Sequence, residues 1–573
     1  MDIKQTVAGA ILDAIKKVYP QQADAVTLEE MVSYIEIPPE VTMGDFAFPC
    51  FKLAKALRQG PVVIAKNLGD EVVSPLIEKT QVLGGYVNFF VEKGTFAKEL
   101  LTQVLQQESR WGSTDQGEGK TICIDYSSVN IAKRFHIGHI SSTMLGHSLK
   151  RIYDFLGYQT IGINHLGDWG SQFGKMIAAY KHWGDKETVE KEGVKALGEL
   201  YVRFHSEAET NPALEEEGRQ WFKAIEDGDE EALTIFDWFK EVTLKDAHKI
   251  YDLLGVTFDS YAGESFYNDK MEPVIETLKE KNLLTLSDGA SIVELEEYGM
   301  PPCLILRKDG ASLYATRDLA AAVYRQDTYH FSKSLYVVAY EQDLHFRQLF
   351  KVLELMGYAW AKDMVHVSFG MVSFEGQKLS SRKGHMVYLE EGLHRTIEKA
   401  RGIIDEKSPH LANKEEVAKQ VGVGAVVYAI LQNNRIKDID FWWDRVLSFE
   451  GETGPYVQYT HAKCCSILRN AQKESLPEAD YSLLQEEEEK QVLMELAAFP
   501  EVIQHAAEKY EPSMITRGVT DLAQAYNKFY FEHRILVEGE LALSAARVAL
   551  TQAVKNTIKQ GLFLIGIEAP EQM

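Results

Sequence analysis

Hydrophobic positions recur at different spacings along the chain, and the changes of spacing predict three regions. In residues 1–112, apolar residues at helical spacing near the N-terminus precede strand-like segments near residues 35–37 and 83–90. The glycine-rich, polar stretch 112–119 has the composition of a linker. Residues 1–112 therefore predict a small N-terminal α+β domain.

Strand-like and helix-like segments alternate across residues 113–445, which is typical of a parallel α/β sheet. A charged stretch at about residues 186–255 has helical spacing and predicts an insertion into this region. Residues 446–573 have helical spacing throughout and predict a bundle. The expected fold class is α/β: a Rossmann-like parallel-sheet domain with an N-terminal α+β domain and a C-terminal all-α domain.

Composition narrows the class of protein. The 573 residues are 45% hydrophobic and 25% charged, as in ordinary globular proteins. No apolar run approaches the roughly 18 residues that span a membrane, and the start of the chain lacks the apolar core of a signal peptide. We therefore expect a cytoplasmic protein with no membrane partner. Five scattered cysteines without a Cys-x-x-Cys pair predict neither a disulfide framework nor a protein-bound metal.

The net charge of −24 disfavours nonspecific binding of nucleic acid. The acidity is uneven, however, because much of it lies in residues 207–231 and in the run Glu486 to Glu489. Such runs are usually solvated helix faces. Charge alone therefore leaves open whether a polyanion binds elsewhere.

The sequence His136-Ile137-Gly138-His139 lies where the strand-like run 121–126 gives way to an apolar helical stretch. Backbone amides and the dipole at a helix start favour an anion, and each imidazole can donate a hydrogen bond to a phosphoryl oxygen. Glycine permits close approach of a flat ligand. The turn indicates a nucleotide site, although either histidine could instead cap the helix or pack in the core.

A second candidate is the basic loop of residues 375–384, which contains Lys378, Arg382 and Lys383 among small residues. Such cations can close over a polyphosphate and stabilise the charge of departing pyrophosphate. An exposed basic turn is the simpler interpretation of the loop taken alone. Together with the upstream histidine turn, the loop indicates nucleotide chemistry.

The histidine turn, followed about 240 residues later by Lys378-Leu379-Ser380-Ser381, resembles the class I aminoacyl-tRNA synthetases. Longer strings narrow the resemblance to the arginyl-tRNA synthetase family and cover nearly the whole chain. These strings occupy residues 127–133, 164–174, 313–319, 341–346, 454–459 and 527–530. Two positions depart from the family pattern: Val129 replaces a usual proline, and Ser381 stands where class I enzymes often have lysine.

The resemblance implies ATP-dependent activation of L-arginine, followed by transfer to the 3′-terminal ribose of tRNA(Arg), with Mg²⁺ as cofactor. It implies the 2′-hydroxyl as acceptor and activation that requires bound tRNA. The catalytic residues expected are His136, His139, Lys378 and Lys133. The ATP-binding residues expected are Gly138, His136, His139, His165, Lys378, Ser380 and Lys383, of which Lys383 is the alternative to Arg382 as second loop cation.

The arginine pocket also has a chemical argument. A guanidinium is planar and permanently charged, so carboxylates in forked geometry hold it best. Tyr314 and Asp318 lie one helical turn apart and can face one ligand, and Asp125 ends a strand at the same sheet edge. An ordinary surface pair is the alternative for Tyr314 and Asp318. With the resemblance, the expected arginine-binding residues are Asp125, Asn130, Tyr314, Asp318, Gln342, Asp168 and Gln172.

The C-terminal helical region resembles the family's anticodon-binding domain, where aromatic and polar side chains stack on splayed bases. Gln458, Tyr459 and Met573 are the tRNA-contact candidates, although helix packing is an alternative for each. The N-terminal domain resembles the one that contacts the elbow of tRNA. We expect a monomer.

Three other classes stay open at this point. A small-molecule nucleotidyltransferase or ligase shares the histidine turn but has no use for a helical tail. A noncatalytic synthetase-like protein tends to lose the turn or the loop, and this chain has both. Glutamyl specificity expects arginines facing the substrate and cysteinyl specificity expects zinc ligands, whereas this chain offers carboxylates.

Overall fold

The computed structural model describes residues 3–38, 40–308, 314–378, 388–448 and 450–573. The N-terminal part contains helices α1 (Ile3–Val18), α2 (Leu28–Tyr34), α3 (Ala54–Leu57), α4 (Pro61–Gly69) and α5 (Lys93–Gln107), with strands β1 (Phe46–Pro49), β2 (Ile77–Leu83) and β3 (Tyr86–Val91). The strands form an antiparallel sheet in the order β1-β3-β2.

Two strand predictions for this part were wrong in detail. Residues 35–37 form a single bridge, Glu36 with Ala47, because the prolines that follow lack the amide needed to extend a ladder. Residues 83–90 form a hairpin rather than one strand. The chain reverses at Gly84, whose φ of +60° suits glycine.

The central part begins with strand β4 (Thr121–Asp125), helix α6 (His139–Phe155), strand β5 (Gln159–Ile163) and helix α7 (Ser171–Trp183). The stretch predicted as a helical insertion contains four helices: α8 (Lys186–Glu192), α9 (Val194–Ala208), α10 (Ala213–Asp227) and α11 (Glu230–Leu254). The chain continues through α12 (Met271–Glu280), β6 (Leu284–Ser287), β7 (Ala290–Val293), β8 (Cys303–Leu306), α13 (Tyr314–Tyr329), β9 (Lys333–Tyr336), α14 (Asp343–Leu355) and β10 (Met364–His366).

The main sheet has the order β10-β9-β4-β5 and every pair in it is parallel. The carboxyl ends of β4, β5 and β9 therefore meet at one edge, where ligands of such sheets bind. A separate antiparallel sheet, β6-β7-β8, interrupts the expected alternation. Helix α6 packs closely on β4, because an added Cβ at Gly146 would overlap the Tyr126 ring.

The remaining elements are β11 (Val372–Phe374), β12 (Gln377–Lys378), α15 (Leu389–Lys407), α16 (Lys414–Leu431), β13 (Ile439–Phe441), α17 (Trp443–Val446), α18 (Gly454–Ala471), α19 (Glu487–Glu508), α20 (Ser513–Glu532) and α21 (Leu541–Leu564). Strand β11 pairs with β12 antiparallel and with β13 parallel. Helices α18 to α21 form the C-terminal bundle. Within the described ranges, no helix is both long and apolar enough to cross a membrane.

The bundle packs on both preceding parts. The Tyr153 hydroxyl at the end of α6 donates to the carbonyl of Ala507 at 2.9 Å. The Trp111 indole donates to the carbonyl of Leu496 at 2.9 Å, and Lys490 pairs with buried Asp45 at 2.8 Å. The helix that begins at His139 is therefore anchored at its other end by the C-terminal bundle.

Candidate active site

The loop between β4 and α6 holds an unusual backbone. Ser127, Ser128 and Ala132 have φ values of 70°, 48° and 62°, in the left-handed region that costs non-glycine residues energy. The Ser127 amide donates to Ser142 Oγ at 2.9 Å, and the Ala132 amide donates to Thr243 Oγ1 at 3.0 Å. These contacts stabilise the strained loop and so fix the start of α6.

The two histidines of the turn are oriented by backbone amides. The Gly138 amide donates to His136 Nδ1 at 3.1 Å, and the His136 amide donates to His139 Nδ1 at 3.0 Å. The ring centroids are 3.8 Å apart. Because each Nδ1 accepts a hydrogen bond, each neutral ring carries its proton on Nε2.

Burial keeps both rings neutral. It lowers the pKa of His136 to about 4, with a smaller contribution from the Lys133 charge. It lowers the pKa of His139 to about 3, with the His136 charge adding to the effect. Lys133 itself is exposed, and Gly138 is the residue before the first turn of α6. The turn therefore presents two Nε2–H donors near neutral pH.

The basic loop is anchored at both ends. Tyr388 forms an antiparallel bridge with His136, and the Leu389 amide donates to the Phe135 carbonyl at 3.1 Å. The Arg134 guanidinium lies 3.5 Å from the Tyr388 ring centroid. At the other end, Asp440 Oδ1 accepts from the Gly376 amide at 2.9 Å. The chain that leaves the loop therefore returns directly to the histidine turn.

The backbone of Lys378 ends β12, where it pairs with Ser373. The Lys378 side chain, Ser380, Ser381, Arg382 and Lys383 lie outside the described residues.

A carboxylate pocket, which we define as Asp125, Asp168, Glu264 and Asp318 with the groups around them, lies at the carboxyl edge of the main sheet. His345 Nε2 is 2.7 Å from Asp318 Oδ2, and His165 Nε2 is 3.8 Å from Asp318 Oδ1. Asp318 is thus hydrogen-bonded to His345, whereas the buried His165 Nε2 lies near it without a hydrogen-bond partner among the described residues.

Tyr314 begins α13, one turn before Asp318, and its ring centroid is 4.9 Å from that of His345. Its side chain is 52% exposed. The charge of Asp318 raises the Tyr314 pKa, with further contributions from burial, Glu264 and Asp125. The phenol hydroxyl therefore stays protonated and can donate into the pocket.

Asp125 has an internal partner that the sequence did not reveal. Arg325, 1% exposed at its side chain, lies 2.8 Å from Asp125 Oδ2, and Ser128 Oγ donates to Asp125 Oδ1 at 2.8 Å. Arg325 Nη2 is 3.3 Å from His165 Nδ1. The sequence did contain one indication of this partner: Arg325 lies two helical turns after Asp318, on the same face of α13. The prediction that Asp125 faces the substrate guanidinium stays a prediction.

Asp168 requires a correction. It is fully buried, and its carboxylate accepts from Lys240 Nζ at 2.6 Å, from the Ser265 amide at 2.8 Å and from Ser265 Oγ at 2.7 Å. Since these donors already satisfy and cover the carboxylate, Asp168 fastens the pocket wall instead of contacting arginine.

The remaining arginine-pocket candidates are more accessible. Asn130 forms a parallel bridge with Gly167, which places it beside the segment carrying His165. Gln172 is half-buried in the first turn of α7, and Gln342 is exposed immediately before α14. Asn130, Gln172 and Gln342 therefore stay predictions.

Glu264 lies in the same region, although no motif in the sequence points to it. Its amide donates to the Leu166 carbonyl at 2.9 Å, next to His165. Burial raises the pKa of Glu264 to about 7, the charges of Asp318 and Asp168 add to the rise, and Arg317 and the Trp169 amide oppose it. No sequence spacing connects Glu264 to the segment that carries His165, so only the fold places it there.

The tRNA-contact candidates have different positions. Gln458 is fully buried, and its amide donates to the carbonyls of Gln420 at 3.0 Å and Glu568 at 2.8 Å. The expectation of a surface role for Gln458 is therefore wrong, because both amide hydrogens are used inside the bundle. Tyr459 is 47% exposed, and Met573 is half-buried.

Lys463 lies between two exposed rings, 5.5 Å from the Tyr459 centroid and 5.0 Å from that of Tyr530. Phe531 is 85% exposed beside them. Of these residues, Tyr530 belongs to the string 527–530, which the sequence had already shown to resemble the family's anticodon-binding domain.

A parallel sheet with a histidine turn at a helix start, and a basic loop returning to that turn, defines a class I aminoacyl-tRNA synthetase. The family model described as tRNA synthetases class I (R), catalytic domain, matches residues 100–443. The DALR anticodon binding domain matches residues 457–573, and the arginyl tRNA synthetase N terminal domain matches residues 3–91. The chain belongs to the arginyl-tRNA synthetase family.

Relatives agree over the full length. The arginine–tRNA ligase of Alkaliphilus metalliredigens is 55% identical, covering 96% of this chain and 98% of the relative. That of Clostridioides difficile is 53% identical, covering 98% and 99%. The structure of Thermus thermophilus arginyl-tRNA synthetase aligns with a TM-score of 0.81 at 25% identity, covering 100% of each chain. The family resemblance and the fold class expected from the sequence are confirmed.

Proposed function

We propose that this chain catalyses the ATP-dependent attachment of L-arginine to tRNA(Arg), releasing AMP and pyrophosphate. The observation that carries the proposal is that two Nε2–H donors and the partly exposed carboxylate of Asp318 lie at one edge of the same sheet. Phosphate needs donors and a guanidinium needs carboxylates. The edge therefore suits both substrates of arginine activation.

The ATP site has its phosphates against His136 and His139 and its adenine against Gly138, with His165 alongside. Lys378, Ser380 and Lys383 supply the loop side of the clamp, and exposed Lys133 adds positive charge near the turn. The described residues on either side of the loop are held by Asp440 and by the histidine turn.

The arginine guanidinium lies against Asp318 and Tyr314, while Asn130, Gln172 and Gln342 hold its amino and carboxylate groups. Asp125 contributes negative charge to this site and orients Arg325, which in turn donates to His165. Asp168 supports the pocket through Lys240. A substrate without guanidinium donors leaves the pocket carboxylates without a partner in the substrate. The binding free energy of such a substrate is then less favourable by on the order of several kcal/mol.

The reaction proceeds in two displacements. The arginine carboxylate attacks the α-phosphorus, and pyrophosphate departs with its charge stabilised by the histidine donors and the loop cations. The 2′-hydroxyl of the tRNA's terminal ribose then attacks the arginyl carbonyl, and AMP leaves. Positioning and electrostatic stabilisation account for this chemistry, so no covalent enzyme nucleophile is required.

Mg²⁺ would be held mainly by the ATP phosphates and not by a protein ligand set. Among the described residues, no group of three or more histidine, cysteine or acidic side chains is arranged to hold a metal. Magnesium usually binds through substrate phosphates and one or two carboxylates, and there it neutralises phosphate charge.

The three regions divide the work. Residues 1–112 contact the tRNA elbow, residues 113–445 carry catalysis with the insertion at about 186–255, and residues 446–573 bind the anticodon. Tyr459 and Met573 contact RNA bases there. The enzyme acts as a monomer in the cytoplasm.

The test is ATP–pyrophosphate exchange over all twenty amino acids, with and without tRNA. We expect exchange only with arginine, and only when tRNA is bound. Adenylation of a different amino acid without RNA would overturn the proposal. The Asp318→Ala variant should lose arginine use and keep tRNA binding, and retained arginine affinity would show that the pocket is misassigned.

A further inference from the structure

The inserted helix α11 lies against the loop that precedes the histidine turn. Its buried face carries two hydroxyl side chains, Thr243 and Tyr251, which are 3% and 1% exposed and about two helical turns apart. Thr243 contacts Ala132 and Tyr251 contacts Ser127, which lie 111 and 124 residues away along the chain. Only the fold therefore brings the insertion to the loop between β4 and α6.

The Tyr251 hydroxyl joins the ends of two neighbouring strands. It lies 2.8 Å from Ser127 Oγ, just after β4, and it accepts from the side-chain amide of Asn164, just after β5, at 2.8 Å. Because the hydroxyl accepts from Asn164, its own hydrogen is available for Ser127 Oγ. Ser127 has a φ of 70°. Tyr251 therefore holds one left-handed residue of the loop against the adjacent strand.

Thr243 holds a second left-handed residue. Ala132 is buried and has a φ of 62°. Its amide donates to Thr243 Oγ1 at 3.0 Å, and the Thr243 hydroxyl donates to the Phe239 carbonyl at 2.8 Å. A buried amide that loses its acceptor raises the free energy of that conformation. The Thr243 oxygen therefore favours the strained backbone over a relaxed one.

Ring contacts extend from α11 to one of the two donor histidines. The Tyr251 ring meets the buried Phe135 ring edge-on, with centroids 5.5 Å apart, and the Phe135 ring meets the His139 ring at 5.3 Å. Amides within the turn orient the two imidazoles relative to their own backbone. Helix α11 fixes where that backbone and the His139 ring lie.

We infer that Tyr251 and Thr243 are positioning residues for the activation of arginine by ATP, because they hold the strained loop in the conformation that presents the two histidine Nε2 protons. Strained backbone persists only where its surroundings determine it. Helix α11 supplies partners to two of the three non-glycine residues with positive φ in this loop. Tyr251 and Thr243 lie outside the strings that resemble the family. The inference rests on the proposed function and gives the insertion a part in catalysis.

The first test removes the Thr243 oxygen and keeps the branched shape of the side chain. In tRNA-dependent ATP–pyrophosphate exchange with arginine, Thr243→Val should lower kcat about 10- to 100-fold, because a small displacement of a catalytic group costs this much. The KM for arginine should stay within about threefold of wild type, since the arginine pocket is built from other segments. Thr243→Ser keeps the oxygen and should recover most of the lost kcat.

Thr234→Val is the matched control. Thr234 lies on the exposed side of the same helix, where its hydroxyl donates to the Glu230 carbonyl at 2.7 Å. It shares with Thr243 the bond to a carbonyl one turn earlier, so the control tests the loss of that bond alone. Thr234→Val should behave as wild type.

The second test measures the loop without substrates. Hydrogen exchange of the full-length protein, followed by mass spectrometry, should be faster in residues 127–135 of Thr243→Val and of Tyr251→Phe and unchanged in the C-terminal bundle. Tyr251→Phe keeps the ring contact with Phe135 and loses only the hydroxyl. Its kcat should fall about 10-fold, with the arginine KM again little changed.

The outcomes separate this inference from the proposed function. An unchanged kcat in Thr243→Val would overturn the inference, and so would a fall in kcat without faster exchange in the loop. Equal losses in Thr243→Val and Thr243→Ser would show that the oxygen does not matter and would overturn it as well. A wild-type enzyme without arginine-dependent exchange would instead refute the proposed function, while hydrogen exchange would still report whether α11 holds the loop.

Discussion

The histidine turn and the carboxylate pocket lie at the same sheet edge but are built differently. In the turn, His136 and His139 are oriented by amides two and three residues away. In the pocket, Asp318 lies near His345 and His165, which come from separate segments of the chain. The turn is local in sequence, whereas the pocket is assembled by the fold.

This difference explains why a short motif indicates one site and not the other. Backbone hydrogen bonds within four residues specify which ring nitrogen carries the proton, so the string itself carries the chemistry. In the pocket, one aspartate can be paired inside the protein while another is left to bind substrate. Burial and neighbouring side chains decide between these two roles. Asp125 and Asp318 illustrate this, since of the two only Asp125 pairs with an arginine among the described residues.

The largest expected effect is a loss of stability when an ion pair of the carboxylate pocket is broken. Arg325→Met removes the only cation directly paired with buried Asp125 among the described residues. We expect a loss of stability of about 3–5 kcal/mol, because a buried charge is left uncompensated. Urea unfolding followed by tryptophan fluorescence measures it.

The matched control is the double variant Arg325→Met with Asp125→Leu, which removes both charges. It should recover most of the lost stability, because an apolar pair can replace a buried ion pair. A cost below about 1 kcal/mol for the single variant would show that the pair does not compensate the Asp125 charge.

The next effect concerns the local turn. His136→Ala removes an Nε2–H donor, and we expect kcat to fall about 100- to 1,000-fold, as for loss of a transition-state hydrogen bond. The KM for arginine should change little, because the pocket is built from other segments. Steady-state exchange assays give both constants.

His136→Gln is the comparison variant, because its amide nitrogen can occupy the position of Nε2. It should recover part of the kcat lost in His136→Ala. Equal losses in the two variants would argue against the donor role, and a large rise in the arginine KM would break the distinction between the two regions.

A smaller effect tests whether the geometry of the histidine turn depends on contacts of α6 with the C-terminal bundle. Tyr153→Phe removes the 2.9 Å hydrogen bond between α6 and the Ala507 carbonyl in the C-terminal bundle. We expect a cost of about 1 kcal/mol in thermal or urea unfolding. The kcat should stay within about threefold of wild type, since the histidine geometry depends on nearby amides; a larger fall would mean that the bundle positions the turn.

The smallest expected change is in pH dependence. Burial lowers the pKa of His136 to about 4 and of His139 to about 3. Their folded pKa values lie below the unfolded value, so the stability they contribute is complete above that value and falls as pH drops towards 4.

At saturating arginine, kcat should therefore vary less than about twofold between pH 8 and about 5.5 from this source. An inflection of kcat near pH 6.5 that disappears in His136→Gln would contradict the neutral, buried turn.

Much of the fold followed from the sequence, because hydrophobic spacing reports local periodicity. It placed the parallel α/β region, the helical insertion and the helical end. It missed the antiparallel sheet β6-β7-β8, since short strands with mixed exposure lack clear alternation. It also placed residues 83–90 in one strand-like segment, although the chain reverses at Gly84 and only residues 86–90 of that segment continue in β3.

For the candidate site, the residues whose geometry is local were the most predictable. The histidine turn and the Tyr314–Asp318 pair lie as their spacing implied, one at a helix start and the other a turn apart on α13. Gln458 and Asp168 were misjudged, because exposure depends on packing partners hundreds or tens of residues away.

By itself, the sequence determined the kind of chemistry and the family: a phosphate-facing turn, a basic loop and carboxylates for a guanidinium. Only the tertiary structure decided which carboxylates are already paired and which remain for the substrate. The physical reason is that hydrogen-bond donors close in sequence orient a ring locally, whereas the charge state and accessibility of a buried carboxylate depend on every segment packed around it.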